Sequence, residues 1–429
     1  MREPSTPLAG YTHRLRRQRI VYFSVVTAIV VVLGVIVGVA WSRGEVAKTT
    51  LATAVAPPAL PLGVPGPSPA LRWKTGDHLA IGTPQWGGTV VGYSTHTVRG
   101  RNARTGAQTW SYTRSNRSVC TAAQLGGVTV AVYELAGNCD EVTAVDSSTG
   151  ARKWTRTLDM DGMPVAGHPN FQTSAQGTSH VLLATTGSVM YALDPATGNN
   201  WWTYSRPGCA IAGAALGTND VLISQDCTTP NCGKLKFCGR GPQLLLRKAY
   251  DSRDDNCKTN RECETNPDKI IWNRLGNTGV PASADGLISA YDARSHTLEH
   301  LAAGDGRSVA TTPLSPAPLS GAGIHALATT EAEIVWAAGV TYAIGPATGA
   351  PVWRASTNGP PTLVTGAAGD TPVLYGARIT VPSAGGAASL DGTTGHVAQT
   401  FSLGGSGAIV YPLGSGFLVG SPDGTAAYS

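Results

Sequence analysis

The sequence predicts an all-β protein: an eight-bladed β-propeller of four-stranded blades, with seven blades as the alternative count, behind one N-terminal membrane helix. Three observations predict it. A short turn recurs with fixed internal offsets. Runs of aromatic and β-branched residues flank each copy, and an uncharged apolar run stands near the N-terminus.

The elements follow in chain order. Residues 1–19 form a basic tail with Arg2, Arg14, Arg16, Arg17 and Arg19 against Glu3. The 21 residues from Ile20 to Ala40 carry no charge and lead into Trp41 and then Arg43. At about 1.5 Å per residue a helix of this length spans a hydrocarbon core of about 30 Å. We therefore place a membrane helix at 20–41. The cationic side stays in the cytoplasm, so everything after Trp41 is extracytoplasmic. A cleaved signal peptide is the competing reading, because Gly38-Val39-Ala40 resembles a cleavage site. Secretory apolar regions usually run only about 7–15 residues, which favours an uncleaved anchor in the cell membrane.

The tail's five positive residues and one negative supply +4 of the chain's formal net charge of +5. The exported part is close to neutral. The basic balance thus reports membrane topology and gives no reason to expect a nucleic-acid partner.

Residues 42–70 are a Pro/Ala-rich linker, with six prolines between Ala56 and Ala70. Such composition predicts an extended spacer of about 3.1 Å per residue, long enough to hold the next domain some tens of Å off the bilayer.

The repeat begins beyond it. Its copies are Asn102-Ala103-Arg104-Thr105-Gly106 with Trp110, Asp146-Ser147-Ser148-Thr149-Gly150 with Trp154, and Asp194-Pro195-Ala196-Thr197-Gly198 with Trp202. Two more are Gly345-Pro346-Ala347-Thr348-Gly349 with Trp353, and Asp391-Gly392-Thr393-Thr394-Gly395 with Gln399. An Asp or Asn side chain accepts hydrogen bonds from backbone N–H groups two residues on, and Gly supplies the positive φ that closes the turn. The flanking runs, such as Val189–Leu193 and Trp201–Tyr204, suit a pleated, half-buried surface. Each copy is a hairpin within a repeating unit.

The turn glycines lie 44, 48 and 46 residues apart within the two groups, and 151 residues separate Gly198 from Gly349. A degenerate copy at Ala302–Gly306 fills part of that gap. A hairpin from Leu244–Leu246 to Ile270-Ile271-Trp272, swollen by the polar stretch Ser252–Lys269, fills the rest. The chain ends on Asp423–Tyr428, which reads as a strand lacking its neighbour. Leu71-Arg72-Trp73-Lys74 is the candidate to supply it, closing the ring and removing the sheet edges there. The propeller domain is thus 71–429, with a Cys-rich insertion at about 228–270.

All eight cysteines lie in the exported domain, where an even count favours disulfides. Cys120 and Cys139 are 19 apart, Cys209 and Cys227 are 18 apart, and each pair takes the same place in its blade. We expect both pairs to bridge adjacent strands. Cys232, Cys238, Cys257 and Cys263 cluster in the insertion, where three connectivities are possible. A zinc site on these four is the competing idea, but their spacings are wider than those usual for zinc.

Several motifs resemble chemistry without its context. His296-Thr297-Leu298-Glu299-His300 matches the H-x-x-E-H pattern of inverted zinc peptidases, but it falls where the repeat demands a strand, not a helix. Asp159-Met160-Asp161-Gly162 opens like a calcium loop and lacks the later oxygen ligands. The acidic patch from Asp254 to Asp268 is interspersed with Arg253, Lys258, Arg261 and Lys269 and reads as a solvated loop. No nucleophile elbow, P-loop or dinucleotide fingerprint is present. We assign no catalytic, cofactor-binding or metal residue.

The turn Asp-x-x-Thr-Gly-x-x-x-Trp resembles the repeat of quinoprotein-like β-propellers, the PQQ-like repeats, and the resemblance covers roughly 71–429. It implies that the repeat tryptophans pack between neighbouring blades as a girdle. Trp73, Trp110, Trp154, Trp202, Trp272 and Trp353 are then structural. Quinoprotein dehydrogenases of this fold carry a vicinal Cys-Cys pair and acidic calcium ligands, whereas no two cysteines are adjacent here, so pyrroloquinoline quinone and calcium are not expected. The layout is similar to that of the propeller lipoproteins of the outer-membrane β-barrel assembly machinery. The expectation is a non-catalytic, membrane-anchored scaffold for envelope or membrane proteins. The alternative is a quinoprotein-like enzyme or a small-molecule sensor using the axial funnel.

Overall fold

Eight separate antiparallel sheets follow one another along the chain in a computed structural model of the protein. The structure describes residues 8–42, 48–52, 55–60, 65–82, 85–135, 138–158, 170–172, 181–185, 187, 189–217, 219–228, 240–249, 270–276, 279–284, 287–316, 324–328, 332–368, 371–403 and 409–429. One N-terminal helix, Leu8–Ser42, precedes the sheets. It starts well before the apolar run, so part of the basic tail is helical too. Its stretch Val21–Val39 is not buried against the rest of the chain and is long and apolar enough to cross a membrane.

Six of the sheets are four-stranded, the geometry expected when short strands are joined by tight turns. The sheet of blade 1 gains Lys48–Ala52 and Gln85–Trp86, and that of blade 2 gains Ile81–Gly82, which pairs parallel with its first strand. The blades span 78–114, 119–157, 170–205, 209–275, 280–313, 324–356, 362–402 and, for the eighth, 409–428 together with Leu71–Thr75. The first strands face one another around the axis: those of blades 4 and 5, 5 and 6, and 7 and 8 pack together.

Closure joins the two ends of the domain. Leu71–Thr75 pairs antiparallel with Gly424–Tyr428. Ala70 and Ser429 exchange backbone hydrogen bonds of 3.1 and 3.0 Å, and Arg72 Nε donates to Ser429 Oγ at 2.8 Å. Asp77 locks the join to blade 1: its carboxylate accepts from Arg99 at 2.7 Å and from Arg101 at 2.6 and 2.9 Å, while its carbonyl accepts from Thr425.

The hydrophobic core is distributed over the seams between blades. Among the described residues, eight buried clusters each draw on two neighbouring blades. The seam of blades 3 and 4, for example, sets Leu183, Met190 and Trp202 against Val221, Ile223 and Leu245. The seam of blades 7 and 8 rests on Phe401 and Phe417, edge to face at 4.5 Å. Burying one such side chain stabilises by roughly 1.5–3 kcal/mol. One seam also carries an ion pair: Arg114 of blade 1 and Glu141 of blade 2 are both buried and hydrogen-bonded.

Two sequence expectations need correction. The linker is not a free spacer. Lys48–Ala52 forms a fifth strand on the outer edge of blade 1, pairing with Gln108–Arg114 from Lys48↔Arg114 to Ala52↔Trp110. Leu60 packs into the seam of blades 8 and 1, and the Pro57 and Pro58 carbonyls lie so close to Gly88 that no Cβ would fit there.

The second correction concerns the disulfides. Cys209–Cys227 joins directly paired adjacent strands. Cys120–Cys139 instead joins the first and third strands of blade 2, with Val128–Leu135 between them. Register shifts flank the end of that middle strand on both sides, at Val132/Tyr133 and Tyr133/Leu135. The two cysteines sit at those irregularities and meet with a Cα–Cα distance of 6.1 Å.

Candidate interaction surface

The repeat turn explains both its own sequence and the seam beside it. In blade 2, Asp146 Oδ1 accepts from the backbone N–H groups of Ser148 and Thr149, each at 3.0 Å, and Gly150 N donates to Asp146 O at 2.8 Å. Thr149 Oγ1 then accepts from Ala151 N at 3.3 Å. Blades 1, 3 and 7 repeat this with Asn102, Asp194 and Asp391. Gly150 has a φ of 70°, and a Cβ on it would stand 2.6 Å from Trp110 Cε3. Glycine is therefore needed twice, for the left-handed backbone and for the indole face laid against it.

That indole belongs to the preceding blade. Trp110 also donates from Nε1 to Ser147 O at 2.9 Å, the second residue of the same turn. The pattern recurs around the ring: Trp73 to Ala103 O, Trp154 to Pro195 O, Trp202 to Ala249 O, Trp272 to Ala303 O and Trp353 to Gly392 O, between 2.8 and 3.1 Å. Each of these six indole N–H groups thus finds a backbone acceptor. The swollen connection of blade 4 keeps its acceptor at Ala249.

Two seams depart from this. In blade 7, Gln399 holds the tryptophan position and its side-chain amide reaches Pro65 O at 3.5 Å. In blade 5 the position holds Ala310, and the His300 ring fills the space under Gly349. Thr312 Oγ1 donates to Gly349 O at 2.7 Å, taking over the indole's role, and pairs with His300 Nε2 at 2.9 Å. On its other side His300 Nδ1 lies 3.8 Å from Glu333 Oε2 of blade 6, and Glu333 Oε1 accepts from Ser289 Oγ at 2.7 Å. His300 and Glu333 are both buried. Burial lowers the His300 imidazole to about 4, and burial raises the Glu333 carboxyl to about 8, so both are neutral near pH 7.

This placement settles the H-x-x-E-H motif. His300 lies inward on the strand Thr297–Leu301, Glu299 pairs with Arg274 at 2.9 Å, and His296 stands in a turn with a φ of 55°. The three do not converge on a metal. Nothing in the sequence alone marks Glu333, Ser289 or Thr312, although Ala310 in a tryptophan position is a signal that the seam is built differently.

The described disulfides bridge residues 19 and 18 apart in sequence, so neither supplies a vicinal pair. Among the described residues no three His, Cys, Asp or Glu side chains come together as metal ligands. Asp159–Gly162, the acidic patch and Cys232, Cys238, Cys257 and Cys263 lie outside the described residues.

The ring has two faces of different make. The connections between third and fourth strands, which include all the repeat turns, lie on one face. Connections between second and third strands, and between blades, lie on the other. The insertion at 228–270 is divided by Gly241–Lys248, the third strand of blade 4. Of the remainder, residues 229–239 and 250–269 lie outside the described residues.

The ring of eight sheets, closed by Leu71–Thr75 against Gly424–Tyr428, is an eight-bladed β-propeller. Within it, residues 67–223 match the family model described as outer membrane protein assembly factor BamB. No curated protein matches the chain by sequence. Among solved structures, it is similar to the computationally designed Ika8 protein, with 11% identity, a TM-score of 0.54 and coverage of 85% of this chain and 99% of that one. BamB from Moraxella catarrhalis aligns with 17% identity and a TM-score of 0.48, covering 84% of this chain and 99% of that one. The C-terminal WD40 domain of Sif2 aligns with 10% identity and a TM-score of 0.49, covering 85% and 98%.

Proposed function

We propose that this chain is a non-catalytic scaffold, held in the cell membrane by its N-terminal helix, that gathers other envelope proteins during assembly or maintenance of the envelope. The observation that carries the reading is the match of residues 67–223 to the family model described as an outer membrane protein assembly factor. The architecture supports it physically. A ring closed by the join of residues 71–75 to 424–428, with eight packed seams, is a rigid platform. Loops on rigid platforms are where binding is usually carried. The Cys-rich insertion at about 228–270, on either side of the strand Gly241–Lys248, is the candidate to carry it. No quinone or calcium enters the proposal.

The test is purification of the tagged full-length protein from its own membranes in mild detergent, followed by mass spectrometry. The reading expects a small, reproducible set of envelope proteins in near-stoichiometric amount. A preparation free of partners, together with saturable binding of a small molecule, would replace it with a ligand-binding role.

A further inference from the structure

The fifth strand on blade 1 links the membrane helix to the propeller more tightly than the length of the linker requires. The helix ends at Ser42 and the strand begins at Lys48. Six residues reach at most about 20 Å, whereas the 29 residues from Ser42 to Leu71 reach about 100 Å if nothing holds them. Lys48 pairs with Arg114, the end of the outer strand farthest from the repeat turn Asn102–Gly106. The chain from the membrane thus arrives at the face opposite the repeat turns.

The pairing is a backbone contact. Leu51 is 53% exposed, and Thr50 and Ala52 are exposed as well. Sequence complementarity of side chains contributes little, while the ladder covers the outer edge of blade 1, a template on which another chain could pair.

We propose that Lys48–Ala52 is a membrane strap. It fixes blade 1 beside the bilayer, turns the repeat-turn face away from it, and occupies the blade 1 edge. The proposal rests on the membrane-anchored reading above and adds an orientation to it. The exposed turn residues Arg104 and Thr149 then face away from the membrane.

The full-length chain in lipid nanodiscs tests this. Spin labels at Ser42 and Ser115 should give a narrow distance within about 40 Å, and labels at Ser42 and Arg104 a distance longer by about 20 Å, the length of the outer strand. Replacing Thr49, Thr50 and Leu51 with proline, which removes backbone donors from the ladder, should broaden both distributions. It should also speed amide exchange in 110–114 by at least about tenfold, the loss expected when a ladder opens. A Ser42–Arg104 distance no longer than Ser42–Ser115, unchanged exchange in the replaced chain, or a mature protein that begins after Ala40 would each overturn the strap. Correct distances in a protein that captures no partner would keep the strap and remove the scaffold.

Discussion

The seam between blades 1 and 2 and the seam between blades 5 and 6 solve one packing problem with different chemistry. At the first, the Trp110 indole covers Gly150 and donates to Ser147 O. At the second, three smaller groups share those tasks: Ala310 and His300 fill the space at Gly349, and the Thr312 hydroxyl reaches its carbonyl. The difference teaches that the repeat requires a filled, donor-bearing slot rather than a tryptophan as such. A slot filled by an indole is indifferent to pH, whereas one filled through His300 and Glu333 is not.

The sharpest way to break the comparison is Trp110→Ala. Removal of a fully buried indole should cost about 3–5 kcal/mol, read as a fall in the denaturant midpoint or as loss of soluble protein. Thr312→Val attacks the other seam. It leaves Gly349 O and His300 Nε2 without their shared partner, and should cost about 1–3 kcal/mol in the same measurement. A loss as large as that of Trp110→Ala would show that the two slots are not equivalent in design.

Acidity separates the seams next. The folded chain keeps the proton of Glu333 up to about pH 8, while the unfolded chain releases it near 4.5, so this group makes stability fall as pH rises between those values. His300 acts in the opposite sense: the unfolded imidazole takes up a proton near 6.5 and the folded one only near 4, so stability falls as pH drops between them. Above pH 6.5 only Glu333 titrates of the two. Glu333→Gln should therefore flatten the decline of wild-type stability from pH 6.5 to 8, a difference of up to about 2 kcal/mol at about 1.4 kcal/mol per pH unit. Trp110→Ala should leave that slope unchanged.

The smallest effect belongs to the turns themselves. Asp146→Ala removes an acceptor for two backbone N–H groups and should cost about 0.5–1.5 kcal/mol. The turn of blade 6 opens with Gly345 and closes through Gly349 N to Gly345 O and Ala350 N to Thr348 Oγ1, so the fold survives without the Asp side chain.

Much of this ring is legible in the sequence because its information is local. The turn Asp146–Gly150 states its own hydrogen bonds, and the fixed interval to the next aromatic states which blade it will cover. The count of eight blades and the join of Leu71–Thr75 to Gly424–Tyr428 follow from one incomplete unit at each end. Less legible is whatever depends on pairing distant residues. Lys48–Ala52 is too short and too mixed to announce a strand, and only the edge at Gln108–Arg114 makes it one. Glu333 reads as an ordinary charged residue until His300, 33 residues earlier in sequence, is placed beside it. The route of Cys120 to Cys139 past an intervening strand depends on register shifts that no spacing reveals. The interaction site was legible only as long loops on a rigid ring, because partner chemistry has no fixed pattern.

Site-specific photo-cross-linking in the native envelope tests the central claim most directly. A cross-linking amino acid is placed at Arg104 or Thr149 on the repeat-turn face, and at Ser115 or Glu134 toward the other. The account predicts discrete adducts with envelope proteins from Arg104 and Thr149. Absence of adducts from all four positions, in a protein that is folded and present in the membrane, would contradict it.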